Sequence, residues 1–207
     1  MLKIGITGGI GCGKSEVCRL LKKAGIPIIH SDEVAKFIMN NNESIKKQIK
    51  QVFGENSYLS DGRLNSKKIA EIIFNDETAK KRIEKIVHPL VIKYHRQVLQ
   101  RWEKSGQHKI AGVEAALIYE AGSDVLYDCI IVVSSSRENM LARLMKRDRL
   151  SEEEVQKRMA AQMPIAEKIK RADYVINNDG TLEDLEIQVT KLMSWLSTKI
   201  TNGKDNN

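Results

Sequence analysis

Apolar and polar positions follow two different periods along this chain. Short apolar runs of the kind that form strands occur at Leu2–Thr7, Ile26–His30, Lys109–Ile118, Cys129–Val133 and Ala172–Asn177. The fourth, Cys129-Ile130-Ile131-Val132-Val133, is continuous, as expected for a parallel strand buried on both faces. Between the runs the apolar positions recur at helical spacing. Val17, Leu20 and Leu21 share one face. Ile45, Ile49, Val52 and Phe53 share another, as do Ile69, Ile72 and Ile73, then Ile83, Ile86 and Val87, then Val91, Tyr94, Val98 and Trp102. Gly25 suits a helix C-terminus before the second strand. Asn56 to Gly62 reads as a turn between helices, and His88-Pro89 is expected to interrupt a helix, because the residue before proline avoids the helical conformation. A last amphipathic helix is expected from about Leu182 to Leu196, with a polar, disordered tail at 198–207.

Strands alternating with helices indicate an α/β domain. The spacing is uneven, however. From Glu33 to Lys104 no strand is convincing, and a helical stretch of about seventy residues exceeds what a crossover between parallel strands needs. It reads as an insertion that lines a cleft beside the core.

The first strand runs directly into Gly8-Gly9-Ile10-Gly11-Cys12-Gly13-Lys14-Ser15, which fits the phosphate-binding loop G-x-x-x-x-G-K-[ST] at every fixed position, and a helix follows. The chemistry explains that spacing. Glycines allow positive φ and close backbone approach. Successive N–H groups form an anion nest, and a helix N-terminus adds its positive dipole end. Lys14 can reach the β- and γ-phosphates, and the Ser15 hydroxyl can ligate Mg²⁺. Cys12, inside the nest and next to Lys14, is expected to have a lowered thiol pKa, or else to be a thiol that the loop shields. Asp32, just past the second strand, falls at the carboxyl end where α/β sheets bind ligands. It is the candidate for the residue that orients an acceptor hydroxyl, or it caps the helix that follows. Arg143 and Arg147, four apart, share one face of a helix that Ser136 caps. With Arg149 they precede Ser151-Glu152-Glu153-Glu154, a capping-box pattern. This arginine-rich hairpin reads either as a lid over a transferring phosphoryl group or as a surface hairpin whose arginines pair with those glutamates.

Charge and composition narrow the function. The 207 residues carry 34 Lys and Arg against 27 Asp and Glu, a net charge of +7. The basic residues are spread rather than massed, which fits small polyanionic substrates or a basic solvated surface better than nucleic acid. Three scattered cysteines make neither a disulfide framework nor a zinc site, and no secretory signal or membrane-length apolar run is evident, so the cytoplasm is the expected compartment. GTP switches usually carry Asn-Lys-x-Asp, and this chain does not.

These residues together resemble the dephospho-coenzyme A kinases. The resemblance runs from Leu2 to about Trp195. It is carried by the Thr7–Ser15 loop, Asp32, Val87-His88-Pro89, Leu117-Ile118-Tyr119-Glu120, Arg143-Leu144, Arg147-Asp148, Arg158, Gln162 and Ala172–Asn178. His30, Glu114, Ala116 and Lys36 stand where that family often has Asp, Asp, Pro and Arg. The resemblance implies transfer of the ATP γ-phosphoryl group to the ribose 3′-hydroxyl of dephospho-CoA, with Mg²⁺ and with no nucleic-acid, membrane or obligate protein partner. It implies a three-layer P-loop NTPase-like fold with a five-stranded parallel sheet. The core would span about 1–32, 107–138 and 168–197, the helical CoA-binding insert about 33–106 and the helical lid about 139–167. It places ATP on Gly9, Gly11, Cys12, Gly13, Lys14, Ser15, Glu16, Arg147 and Asn177, the acceptor on Asp32, His88, Glu114 and Leu117, and catalysis on Lys14, Asp32 and Arg147. The alternatives are a P-loop kinase for another nucleotide or a sugar, and a nucleotide-dependent switch.

Overall fold

The computed structural model describes residues 1–148 and 151–202. Arg149 therefore lies outside the described residues, as does 203–207 of the expected tail. The described chain divides into two compact units, one of Met1–Ile29 with Leu99 onward, the other of His30–Val98. Part of the expected insert, residues 99–106, thus groups with the first unit.

The first unit is built on β1 (Leu2–Gly8), β2 (Ile28–His30, ending at the unit boundary), β3 (Ile110–Glu114), β4 (Cys129–Ser134) and β5 (Tyr174–Asn177). Their order in the sheet is β2-β3-β1-β4-β5. β1 is central. It pairs in parallel with β3, Ile6 opposite Glu114, and with β4, Gly8 opposite Val133. β4 pairs in parallel with β5. Side-chain alternation makes three layers. Ile4, Ile6, Ile131, Val133 and Ile176 face one side. There they meet α1 (Lys14–Lys23) through Val17, Cys18 and Leu21, and α9 (Leu182–Asn202) through Leu185, Val189, Leu192 and Leu196. Ile130 and Val132 face the other side, against Ile118, Tyr119 and Met163. This is the expected three-layer α/β fold around a five-stranded parallel sheet.

α1 ends in a Schellman motif: Gly25, at φ +85°, donates to the Lys22 carbonyl at 2.9 Å, and Ile26 donates to the Leu21 carbonyl at 3.1 Å. Three strands are shorter than expected. β3 stops at Glu114 because Leu117 and Ile118 turn back on themselves, their carbonyls taking the Ala121 and Ser123 amides. The apolar character there serves a buried turn. β2 begins at Ile28 and β5 at Tyr174. α6 (Arg137–Asp148) is capped by Ser136, whose hydroxyl accepts the Asn139 amide at 3.2 Å. α7 (Glu152–Ala160) has the expected capping box, Ser151 with Glu154. α8 (Ile165–Lys170) leads into β5. α9 continues past Leu196 to Asn202, so residues 198–202 of the expected tail are helical.

The second unit is helical. It holds α2 (Ser31–Asn41), α3 (Glu43–Phe53), α4 (Ser66–Asn75) and most of α5 (Glu77–Ser105). Asn42 caps α3 and Asn65 caps α4. The turn expected at 56–62 is closed by a bridge between Tyr58 and Leu64. The break expected at His88-Pro89 does not occur. α5 runs through Pro89, and the burial of Ile83, Val87 and Val91 on one face offsets the lost backbone hydrogen bond. α2 begins at Ser31, one residue before Asp32. The Ser31 hydroxyl lies 3.2 Å from Nε2 of His95 on α5, and burial pushes the His95 imidazole down to about 4, so it is neutral.

Candidate active site

The loop between β1 and α1 has the geometry its glycines allow. Gly11 and Gly13 stand at φ +79° and +90°, and Gly13 is the N-cap of α1. The α1 N-terminus therefore opens onto the loop with Glu16 in its first turn and Lys22 and Lys23 in its last, matching the helix dipole. Lys14 folds over the loop. Its ammonium donates to the Gly9 carbonyl at 3.1 Å and to the Gly8 carbonyl at 3.3 Å. Ser15 is exposed, one turn position on.

Later segments of the chain hold this loop from outside. Asn178 is buried just after β5 and donates from Nδ2 to the Cys12 carbonyl at 2.9 Å. Gln162, after α7, accepts the Ile10 amide at 3.1 Å. Arg143 on α6 donates to the Asn178 carbonyl at 2.8 Å and to the Ser135 hydroxyl at 3.4 Å. The Asp179 carboxylate receives the Ser136 amide, the Ser135 hydroxyl and the Asn139 side chain, and these bonds pull its pKa down to about 2. A depression of 270 Å³ results, lined by Gly13, Glu16, Arg143, Asn178, Thr181 and Leu185 among others. A larger cleft of 690 Å³ lies over Gly9 and Ile10, walled by Arg137 and Met140 of α6 and by Met159, Gln162 and Pro164 of the hairpin.

Several expectations change here. Asn177 does not line the depression. It is exposed, its backbone bonded to Gln188 of α9 in both directions, and the wall is made by Asn178, the next residue in the same Asn-Asn pair. A four-residue strand alternates its faces, and a one-residue offset decides which asparagine turns inward. Cys12 is not an activated thiol. It is fully buried, and burial pushes its pKa up, outweighing the opposing charge of Lys14. Asp32 is not the N-cap of α2. That position is His30, and Asp32 is an exposed residue of the first turn. Among the described arginines of α6, Arg143 turns to Asn178 and Ser135, and Arg147 to its neighbour, rather than to Glu152, Glu153 or Glu154. Arg147 binds Asp148, at 2.7 and 2.9 Å, and Arg158 approaches the same carboxylate at 3.5 Å.

The remaining candidates divide between the two units. Lys14, Ser15, Glu16, Glu114, Leu117 and Arg147 belong to the first, with Glu114 ending β3 beside β1. Asp32 and the half-buried His88, inside α5, belong to the second. Sequence reasoning did not single out Ser135, Asn178 or Asp179. Their signal was the polar cluster that ends β4 and β5, next to each other in the sheet.

Among the described residues no group of three or more His, Cys, Asp or Glu side chains could hold a metal. One exposed hydroxyl, Ser15, stands at the phosphate loop. This donor set fits Mg²⁺ carried in by phosphates and water, the usual manner for that ion, and not a dedicated protein cage.

The dephospho-CoA kinase family model matches residues 2–184. A dephospho-CoA kinase of Geobacter sulfurreducens is 40% identical over 189 residues, 91% of this chain and 95% of that protein. Among solved structures, a Thermus thermophilus protein superposes with a TM-score of 0.75 at 34% identity, covering 94% of this chain and 97% of its own. A dephospho-CoA kinase from Campylobacter jejuni gives 0.71 at 28% identity, covering 95% and 98%.

Proposed function

The chain belongs to the dephospho-CoA kinase family, and on that premise we propose how its residues divide the work. The activity is ATP-dependent phosphorylation of dephospho-CoA to coenzyme A and ADP, the final step of coenzyme A synthesis. The observation that carries our reading is the loop at residues 8–15, with its left-handed glycines at the head of α1 and the Lys14 ammonium folded over it. Such a cradle binds phosphates through backbone N–H groups and the helix end.

In this reading ATP lays its phosphates along Gly9, Gly11, Cys12, Gly13, Lys14 and Ser15. Its base enters the depression that Gly13, Arg143, Asn178 and Leu185 surround. Lys14 leaves its carbonyl partners and meets the charge at the β/γ bridge, where charge develops during transfer. Ser15 would contribute the protein oxygen to Mg²⁺, which, when bound, offsets phosphate charge. The helical segment 33–106 holds the acceptor. Asp32 accepts a hydrogen bond from the ribose 3′-hydroxyl, orients its oxygen and takes its proton as the bond to phosphorus forms. His88 of the second unit, and Glu114 and Leu117 of the first, are the other residues we assign to acceptor binding. The hairpin 139–167 closes as a lid and brings Arg147 to the transferring group. The cytoplasm is the compartment we propose. Three thiols fit it: Cys12, Cys18 and Cys129 are all free and buried.

The test is direct. The protein is incubated with ATP, Mg²⁺ and dephospho-CoA, and the products are identified by mass. Coenzyme A and ADP in equal amounts support the reading. Free phosphate without phosphorylated acceptor indicates a switch or an uncoupled nucleotidase and overturns it.

A further inference from the structure

Among the described residues, the bulkiest fully buried side chain is a lysine. Lys168, on α8, has no accessible surface, in a class otherwise filled by Ile, Leu and Val. The reaction scheme above gives it no task. Burying an ammonium carries a desolvation penalty that its ion pair need not repay, and apolar residues of like volume often serve stability as well. What an ammonium adds is direction.

Its bonds lead back to the phosphate loop by two routes. Nζ donates to the Ala116 carbonyl at 2.6 Å, and that carbonyl also accepts the hydroxyl of Thr7 at 3.1 Å. Thr7 is fully buried and precedes Gly8, the first residue of the loop. Nζ also pairs with Oε1 of Glu120 at 2.8 Å, and the same oxygen accepts the Met163 amide at 2.9 Å. The residue before Met163 is Gln162, which accepts the Ile10 amide of the loop. One ammonium thus joins the turn after β3, the strand that feeds the loop, and the junction between α7 and α8.

We propose that Lys168 is a positioning residue for phosphoryl transfer: it holds the turn 115–122 against the base of the α7–α8 hairpin, and so fixes where Gln162 and the lid stand over the phosphate loop. The proposal rests on the reading of that loop as the ATP site. Without the ammonium, the Glu120 carboxylate keeps the Met163 amide but loses its anchor. The base of the hairpin can then shift while the loop still binds nucleotide. Small misplacements of this kind cost turnover more than affinity.

Protonation gives an independent handle. Burial lowers the Lys168 pKa, Lys14 lowers it further, and Glu120, and to a lesser degree Cys12, work in the opposite direction. Among the described residues, Glu120, Lys14 and Cys12 are the charged or titratable groups that act on it, from the β3 turn and the phosphate loop. As pH rises the ammonium is lost sooner than that of an ordinary lysine. Removing the Glu120 charge makes that loss come at still lower pH.

The experiment compares Lys168→Met, Lys168→Arg and Glu120→Gln with wild type, at saturating ATP and dephospho-CoA. It records kcat against pH, the Kd for ATP and the melting temperature. Lys168→Met is expected to lower kcat on the order of 10- to 100-fold, with the Kd for ATP within about threefold of wild type, the ammonium making no contact with nucleotide. Lys168→Arg is expected to recover part of kcat. Glu120→Gln is expected to move the alkaline limb of kcat to lower pH, which a packing role would not do. Wild-type kcat in Lys168→Met, with only the melting temperature lowered, overturns the proposal. If Lys168→Met does not fold, the other two variants decide: an unmoved alkaline limb in Glu120→Gln overturns it. Wild type that makes no coenzyme A would instead overturn the reading of the site.

Discussion

Gly13→Ala tests whether the loop's shape is held by its own backbone or by the chain that packs on it. Gly13 stands at φ +90°, and a Cβ there would run into the Nδ2 of Asn178, the atom that donates to the Cys12 carbonyl. Two costs follow. An alanine in the left-handed region costs roughly 1–2 kcal/mol. Displacing the Asn178 amide leaves the Cys12 carbonyl without that donor, in a buried setting, for about 1–3 kcal/mol more. The sum, about 2–5 kcal/mol, is a large part of a typical domain's stability. The two parts separate in a double-mutant cycle. In an Asn178→Ala background the amide is already gone, so Gly13→Ala should cost only the backbone part, about 1–2 kcal/mol. Urea unfolding of the four proteins, followed by far-ultraviolet circular dichroism and by tryptophan fluorescence with coincident transitions, measures both. Nucleotide affinity should fall in the same order, because the loop and α1 N-terminus cannot both keep their places. Equal costs in the two backgrounds would show that Asn178 does not brace Gly13. A cost near zero would refute the conformational argument as well.

Three further outcomes are expected. Asp32→Asn should bind ATP normally and lose at least ~100-fold in single-turnover phosphoryl transfer, while stability changes by under about 1 kcal/mol, the worth of an exposed first-turn charge; quench-flow at the wild-type rate would leave Asp32 with a helical role only. Arg147→Ala should lower kcat more than it weakens ATP binding, since its partner in the free protein is its neighbour Asp148; an effect confined to ATP affinity would make it a ground-state contact. Asp179 is held at about 2, below the ordinary carboxylate range. Its stabilisation is therefore present above pH about 4 and lost as pH falls through about 2. The group is exposed, so the screened contribution is at most about 1 kcal/mol, and the urea midpoints of wild type and Asp179→Asn should differ at pH 7 and converge near pH 2.

How much of this was legible in the sequence depends on the range over which each feature is decided. The loop at 8–15 is local: the glycines, Lys14 and Ser15 occupy adjacent positions, and their φ angles follow from residue type. The caps at Ser136 and Ser151 are equally local. The strands are legible in the apolar runs, but their lengths are not. Leu117 and Ile118 are as apolar as strand residues, and only the backbone bonds from Ala121 and Ser123 make them a turn. The local penalty at Pro89 is real and predicts a break, yet α5 carries it. Burial along one side of a long helix outweighs one missing hydrogen bond. The errors at the site are long-range too. The lowered thiol pKa expected for Cys12 counted the charge of Lys14 and the helix end. The structure holds the other alternative, a thiol shielded by the loop, and no neighbour in sequence decides between the two. Asn177 and Asn178 are chemically identical, and only the register of β5 against β4 separates an exposed one from a buried one.

The phosphate loop shows both ranges at once. Its motif is eight residues long, but the contacts that set its position come from residues more than a hundred positions away. Asn178 fixes the Cys12 carbonyl, Gln162 takes the Ile10 amide, and a Cβ at Gly11 would strike Leu144 and the Met140 carbonyl of α6. A loop held only by its own glycines would pay conformational entropy each time it closed on phosphate. Braced from β5, α6 and the hairpin, it has little left to order when ligand arrives, which is the condition for electrostatic stabilisation without reorganisation. Lys14 fits the same logic. Its ammonium rests on two neutral carbonyls of the loop itself, and phosphate replaces them with charge-assisted bonds roughly twice as strong. The resting contacts keep the side chain over the loop and desolvate it in part. The exchange therefore favours a polyphosphate over water, and it uses a group already aimed at the place where the charge will be.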